Sequence, residues 1–148
     1  LTKISSGGVR RTINGDPVWI GRPSHRRYRL AVSGVDIRPL TTDALWEGMP
    51  CTVVPATRII AGVPSGMSQV TLDRTPFDGS VVVHKLLNPT QSIGGWSLEG
   101  RLVSITDQVA EDLVVSYRPV LSMVVEEAPE VEKAEAKAQH TWRVTFVE

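Results

Sequence analysis

The carboxylates free to do acid–base chemistry are Asp36, Asp43, Asp73, Asp78, Asp107 and Asp112. Asp43, Asp78 and Asp107 stand directly beside Thr or Gly, which suits turn capping: the carboxylate accepts nearby backbone N–H groups. No spacing among the six marks a catalytic pair. His25, His84 and His140 are scattered, with no i,i+4 pair and no His-Glu-x-x-His, so a metal site would need the fold to gather all three. Cys51 is the single cysteine, which excludes an intramolecular disulfide and a cysteine cluster within one chain. In Met49-Pro50-Cys51-Thr52-Val53-Val54 it reads as a small buried hydrophobe on a strand. There is no P-loop, no dinucleotide-binding glycine pattern after a strand and no Gly-x-Ser-x-Gly elbow. Asn88-Pro89-Thr90 fails as a glycosylation acceptor because proline fills the middle place. These residues predict no enzyme and no cofactor.

Charge carries more information. The net charge is zero, yet residues 1–30 hold seven Lys or Arg against Asp16 alone, while residues 126–137 hold five glutamates against two lysines. Opposite-signed patches on a neutral chain suit head-to-tail contact between copies. The candidate subunit-interface residues are Arg26, Arg27, Arg29, Glu126, Glu127 and Arg143. Arginines around Tyr28 could also hold nucleic-acid phosphate with a stacking ring. Tyr28 alternates with apolar residues and so points inward, and the chain as a whole is not basic, so nucleic acid is disfavoured as a partner.

The elements that must position these groups read as strands. Valine is abundant and punctuated by Gly, Pro, Asn and Asp. Asn14-Gly15-Asp16 predicts a hairpin turn between Val9–Ile13 and Pro17–Ile20. In residues 26–33, Tyr28, Leu30 and Val32 alternate with Arg27, Arg29 and Ala31, the period of a half-buried strand. One helical turn is expected within residues 41–47, with Leu45 and Trp46 plugging the end of the core. Residues 55–100, rich in Gly and Pro, read as loops interrupted by short strands. Leu113–Val125 is a strand run that Pro119 bulges, breaks or confines to an edge. Residues 126–140 are rich in Ala, Glu and Lys and read as a solvated acidic excursion with one or two helical turns at most. The closing strand sets Trp142, Val144 and Phe146 on one face, expected to pair with Leu121 and Met123, and Arg143, Thr145 and Val147 on the other.

The fold predicted is all-β, an antiparallel sandwich or barrel with at most one or two short helical turns. At 148 residues the chain fits a single domain, 1–148. No run approaches the ~20 apolar residues of a membrane span, and residues 1–8 lack a signal-peptide h-region. Leu1 as first residue points to residues that precede it. Trp96, in Gly94-Gly95-Trp96-Ser97, is the candidate exposed loop aromatic; Trp19, Trp46 or, best placed, Trp96 on an exposed face would serve a carbohydrate-binding module for host-surface recognition.

Three segments, in order, resemble a known family. They are Arg11-Thr12-Ile13-Asn14-Gly15-Asp16 with Arg27-Tyr28-Arg29; Arg38-Pro39 with Ala44-Leu45-Trp46-Glu47-Gly48-Met49-Pro50-Cys51-Thr52-Val53; and Tyr117-Arg118-Pro119-Val120-Leu121-Ser122-Met123-Val124-Val125 with the closing Trp142–Glu148. Together they resemble small tail-tip and baseplate proteins of long-tailed bacteriophages. The resemblance covers about the first 55 residues and the last 35; residues 56–110 do not match. It implies a non-catalytic virion protein, assembled in the host cytoplasm as a homo-oligomeric ring around the tail axis. Its partners would be other copies and neighbouring tail proteins. A head–tail connector, a capsid decoration protein and an envelope hydrolase are the other readings.

Overall fold

The computed structural model describes residues 1–5, 8–12, 14, 17–20, 26–36, 45–106, 111–134 and 139–148, some by their backbone alone. Their strands are β1 (Thr2–Ser5), β2 (Gly8–Arg11), β3 (Pro17–Ile20), β4 (Arg26–Asp36), β5 (Pro50–Val53), β6 (Ile59–Val63), β7 (Gln69–Thr71), β8 (Val82–Lys85), β9 (Trp96–Glu99), β10 (Leu102–Ile105), β11 (Leu113–Tyr117), β12 (Leu121–Ala134) and β13 (Gln139–Val147). The fold is all-β, and no helix occurs among the described residues. None is therefore long and apolar enough to cross a membrane. The chain forms two compact units, one from residues 1–51 and 122–148 and the other from residues 52–121.

The first unit is built on a sheet of order β1-β4-β13-β12-β5, beside the hairpin β2-β3. The predicted arms of that hairpin pair as expected, Val9 opposite Trp19, while Gly15 and Asp16 of its turn lie outside the described residues. In β4 the alternation places Tyr28 and Leu30 in the core. Phe146 lies opposite Leu30 on one side and Val125 on the other, so one apolar row crosses three strands. Burying such side chains contributes about 1.5–3 kcal/mol each. Val144 is also buried, and Trp142 of the same face is half-buried against Gly34.

Two expectations for this unit need correction. The partner of Phe146 is Val125, and Trp142 lies opposite Val131; Leu121 and Met123 are buried but stand elsewhere along β12. The pairing is displaced because β12 continues to Ala134, and bulges at Val125/Glu127 and Glu127/Glu130 shift its register. That length also corrects the acidic excursion: residues 128–134 and 139–140 are strand. The helix propensity of Ala, Glu and Lys is a few tenths of a kcal/mol per residue, and cross-strand pairing with Thr141, Trp142 and Arg143 outweighs it. Residues 135–138, between the two strands, lie outside the described residues.

The second unit spans the middle of the chain, where short strands alternate with loops as expected. Two three-stranded sheets, β7-β10-β9 and β6-β11-β8, contribute to one apolar cluster. Val83, Val103 and Val115 lie at its centre with Val63, Leu72, Leu113 and Tyr117. The strands are only 3–5 residues long, which is why glycine and proline between them dominate the sequence pattern. Leu113–Val125 breaks into β11 and β12 at Arg118–Val120. There Tyr117 Oη accepts the Arg74 N–H at 3.3 Å, and Arg118 Nε donates to the Pro55 carbonyl at 3.1 Å. The Arg118 guanidinium also lies 5.3 Å from the centre of the Phe77 ring. Arg58 joins β11 to the residues before β8: Nε donates to Ser116 Oγ at 2.9 Å, and Nη2 donates to the Ser116 carbonyl at 2.9 Å and to the Ser80 carbonyl.

Candidate functional site

The first unit buries one face of its sheet and presents charge on the other. Side chains two apart on a strand share a face, and directly paired residues share it across strands. Arg29 lies opposite Val147, Ala31 opposite Thr145 and Ser33 opposite Arg143 on β4 and β13; Glu127 lies opposite Thr145 from β12. The register thus sets Arg29, Glu127, Thr145 and Arg143 around exposed small residues, Ala31 and Ser33.

The bulge after Val125 turns Glu126 toward the same side as Glu127. Arg29 Nε donates to Glu126 Oε2 at 2.7 Å, and its Nη2 lies 3.8 Å from Glu127 Oε1. Glu127 Oε2 accepts from Thr145 Oγ1 at 2.7 Å, and Thr145 is 1% exposed. The bond gives that buried hydroxyl its acceptor. At the start of β4, Arg27 Nη1 donates to the Glu148 carbonyl at 3.4 Å. Glu148 Oε2 accepts the Tyr28 N–H at 3.2 Å, and the Glu148 N–H donates to the Tyr28 carbonyl at 3.0 Å.

A turn from Trp46 to Met49 brings Glu47 to this face. The Met49 N–H donates to the Trp46 carbonyl at 3.1 Å, and Gly48 has φ 83°, a conformation that favours glycine. Gly48 N–H to Val125 O at 2.9 Å and Val125 N–H to Met49 O at 3.0 Å tie the turn to β12. The result is a groove of about 320 Å³ lined, among the described residues, by Glu47, Glu127, Ala128 and Arg143. Trp46, expected to plug the core, is instead 60% exposed, because the turn carries it away from the buried row.

The structure brings together Arg29, Glu126, Glu127 and Arg143, with Arg27 farther along β4. Arg26 lies on β4 beside Ser5 of β1, its side chain outside the described residues. The two charge patches read from sequence thus meet within one chain at Arg29 and Glu126. Trp96 opens β9 in the second unit, half-buried and packed against the core cluster rather than standing free on a loop. Its flanking glycines signalled a loop, but only Gly94 and Gly95 precede the strand. The turn at 46–49, which supplies Glu47 and Trp46, was missed as a site element; its signal was Gly48 in Trp46-Glu47-Gly48-Met49.

No group of three His, Cys, Asp or Glu among the described residues could hold a metal ion. His84 and His140 belong to different units, and His25 lies outside the described residues. Asp112 accepts the Ser65 N–H at 2.7 Å, a tertiary link between residues 47 apart and not the capping of its own turn. Cys51 is half-buried, and burial raises its thiol pKa. The chemistry the face supports is recognition by carboxylates and guanidinium groups. Comparison with protein-family models, curated proteins and solved structures gave no match.

Proposed function

We propose that the chain is a non-catalytic structural component of a tailed-bacteriophage virion, a tail-tip or baseplate subunit that forms a homo-oligomeric ring around the tail axis. One observation carries this reading. The residues that resemble the tail-protein family, about 1–55 and 114–148, nearly coincide with the compact unit 1–51 and 122–148. The part without resemblance, 56–110, falls wholly inside the other unit. A resemblance that follows a structural boundary is what a shared domain with a separate insertion would leave. The charged face supplies a surface for neighbouring copies, since Arg27, Arg29, Glu126 and Arg143 are exposed on it.

Light scattering and negative-stain microscopy of the purified protein, alone and mixed with the products of adjacent genes, test the reading. Rings are expected, and the neighbouring genes should encode a tape-measure protein and tail-tip components. A particle located at the head–tail joint or on the capsid would move the assignment to a connector or decoration protein. A strict monomer under both conditions would remove the ring, and turnover of cell-wall material would remove the non-catalytic claim.

A further inference from the structure

We propose that the open edge of β4, Ala31–Val35, pairs antiparallel with the same edge of a second copy, about a two-fold axis at Ser33. The inference goes beyond the ring reading and stands without it: a two-fold contact joins like surfaces, whereas a ring contact joins unlike ones. β1 covers only the start of β4, from Ser5 opposite Arg26 to Thr2 opposite Arg29. β13 lines the other side of β4 as far as Asp36. Beyond Arg29, no strand and no backbone partner lies on the outer edge of β4 among the described residues.

The alternation of antiparallel hydrogen bonding decides which groups that edge presents. The Glu148 N–H donates to the Tyr28 carbonyl. Tyr28, Leu30, Val32 and Gly34 therefore bond toward β13, and Ala31, Ser33 and Val35 turn their N–H and C=O groups outward. A strand is the partner that satisfies such a row, and this row is matched by itself. Centred on Ser33, antiparallel pairing sets Ala31 opposite Val35 of the second copy and Val35 opposite its Ala31. Outward groups then meet outward groups along the whole edge, and each such pair exchanges both of its bonds. A one-residue slip would set outward groups against inward ones.

The side chains agree with this register. Val35 is 62% exposed, a large apolar group at an open edge, and Ala31 of the second copy would lie beside it. On the other face the half-buried Trp142 ring lies over Gly34. Val32 of the second copy would lie opposite Gly34 and so extend the apolar surface next to that ring. Neither lysine nor proline stands in Ala31–Val35, the residues that commonly protect an edge. The sheet's end strands carry them: β1 has Lys3, and β5 has Pro50. One strand pair is a small contact, so the association is weak and shows at high protein concentration.

The test is disulfide trapping in the full chain with Cys51→Ser, read as covalent dimer on a denaturing, non-reducing gel. The Cα atoms of a hydrogen-bonded antiparallel pair are about 5.5 Å apart, inside the disulfide range of about 4.4–6.8 Å. Ser33→Cys should therefore trap dimer. Val35→Cys alone should not, because position 35 faces position 31, and mixing it with Ala31→Cys should restore trapping. Adding Val35→Pro to Ser33→Cys should lose the dimer, since it removes an outward N–H that β13 does not use. In the unmodified protein the Ala31, Ser33 and Val35 amides should gain protection from hydrogen exchange as concentration rises. Ser33→Lys, which sets like charges opposite each other, should lose that gain at Ala31 and Val35. Circular dichroism checks that each variant is folded. No trapping at position 33, or equal trapping at 33 and 35, overturns the inference. So does equal protection of these amides at every concentration, which would show that the same chain covers the edge. Rings are scored separately by negative-stain microscopy, so failure of one reading is distinguishable from failure of the other.

Discussion

Removing the Arg58 guanidinium should destabilise the second unit more than removing a charge that has no buried acceptors, such as Arg101. Arg58 is exposed as a residue, yet its guanidinium gives part-buried hydrogen bonds to Ser116 Oγ, the Ser116 carbonyl and the Ser80 carbonyl. Ser80 and Ser116 are themselves buried, at 7% and 9% exposure, so water cannot fully replace the lost donor. A hydrogen bond to a charged group contributes about 1.5–3 kcal/mol, and an acceptor left buried without a partner costs about 1–3 kcal/mol. Water reaching the outer end of the vacated space recovers part of this, leaving about 3 kcal/mol for Arg58→Ala. At this chain length that corresponds to a Tm lower by about 6–12 °C. Thermal unfolding followed by circular dichroism measures it. Arg58→Lys should recover only part, because an ammonium cannot reproduce the planar fork. Arg101→Ala is the control: its side chain is exposed and donates to the Asp73 carbonyl at 3.4 Å. That variant should stay within about 0.5 kcal/mol of the parent. Equal Tm values for Arg58→Ala and Arg101→Ala would refute the reasoning.

Gly34→Ala would place its Cβ 2.6 Å from Trp142 Cζ2 and 2.8 Å from Cε2, so it should lose about 1–3 kcal/mol in urea unfolding and shift the Trp142 fluorescence. Arg29→Ala should change stability by less than about 1 kcal/mol, and by less still in added salt, because Arg29 and Glu126 are 43% and 38% exposed and salt screens exposed pairs. Burial raises the pKa of the Cys51 thiol, so the protonated form is favoured in the folded chain. Iodoacetamide should therefore label it more slowly than a free cysteine near pH 8, with labelling that accelerates as pH rises into the alkaline range.

What the sequence made legible was governed by local period. Tyr28, Leu30 and Val32 alternate with charged neighbours over one strand, and that pattern is decided by burial on one face. Residues 128–134 were misread because their composition favours helix, while their strand state depends on partners on β13, from Ala134 opposite Gln139 to Glu130 opposite Arg143. Trp46 was misplaced for a related reason. Its hydrophobicity pointed to the core, whereas it opens a turn with the left-handed Gly48, which the bonds of Gly48 and Met49 to Val125 hold on β12. The face that joins Arg29, Glu127 and Arg143 required the register of three strands, which no local window contains.

The two ends of the second unit explain how it fits into the chain at all. It leaves the first unit after Cys51 and returns at Ser122. Those positions lie on β5 and β12, which are neighbours in one sheet. Met49 and Val125 are hydrogen-bonded, and each is only a few residues from its end of the insertion. A chain reaches at most about 3.6 Å per residue, so the two ends must lie close together. An insertion with close ends adds little strain to its host, and loop-closure cost grows only slowly with the length inserted. Replacing residues 56–116 by a short glycine-containing turn should therefore leave β5 and β12 paired. The shortened chain is expected to keep a β-sheet circular dichroism spectrum and a cooperative thermal transition, and to protect the Val125 amide from hydrogen exchange. An unfolded product, or a Val125 amide that exchanges at the rate of a free chain, would show that the first unit depends on the second for its fold.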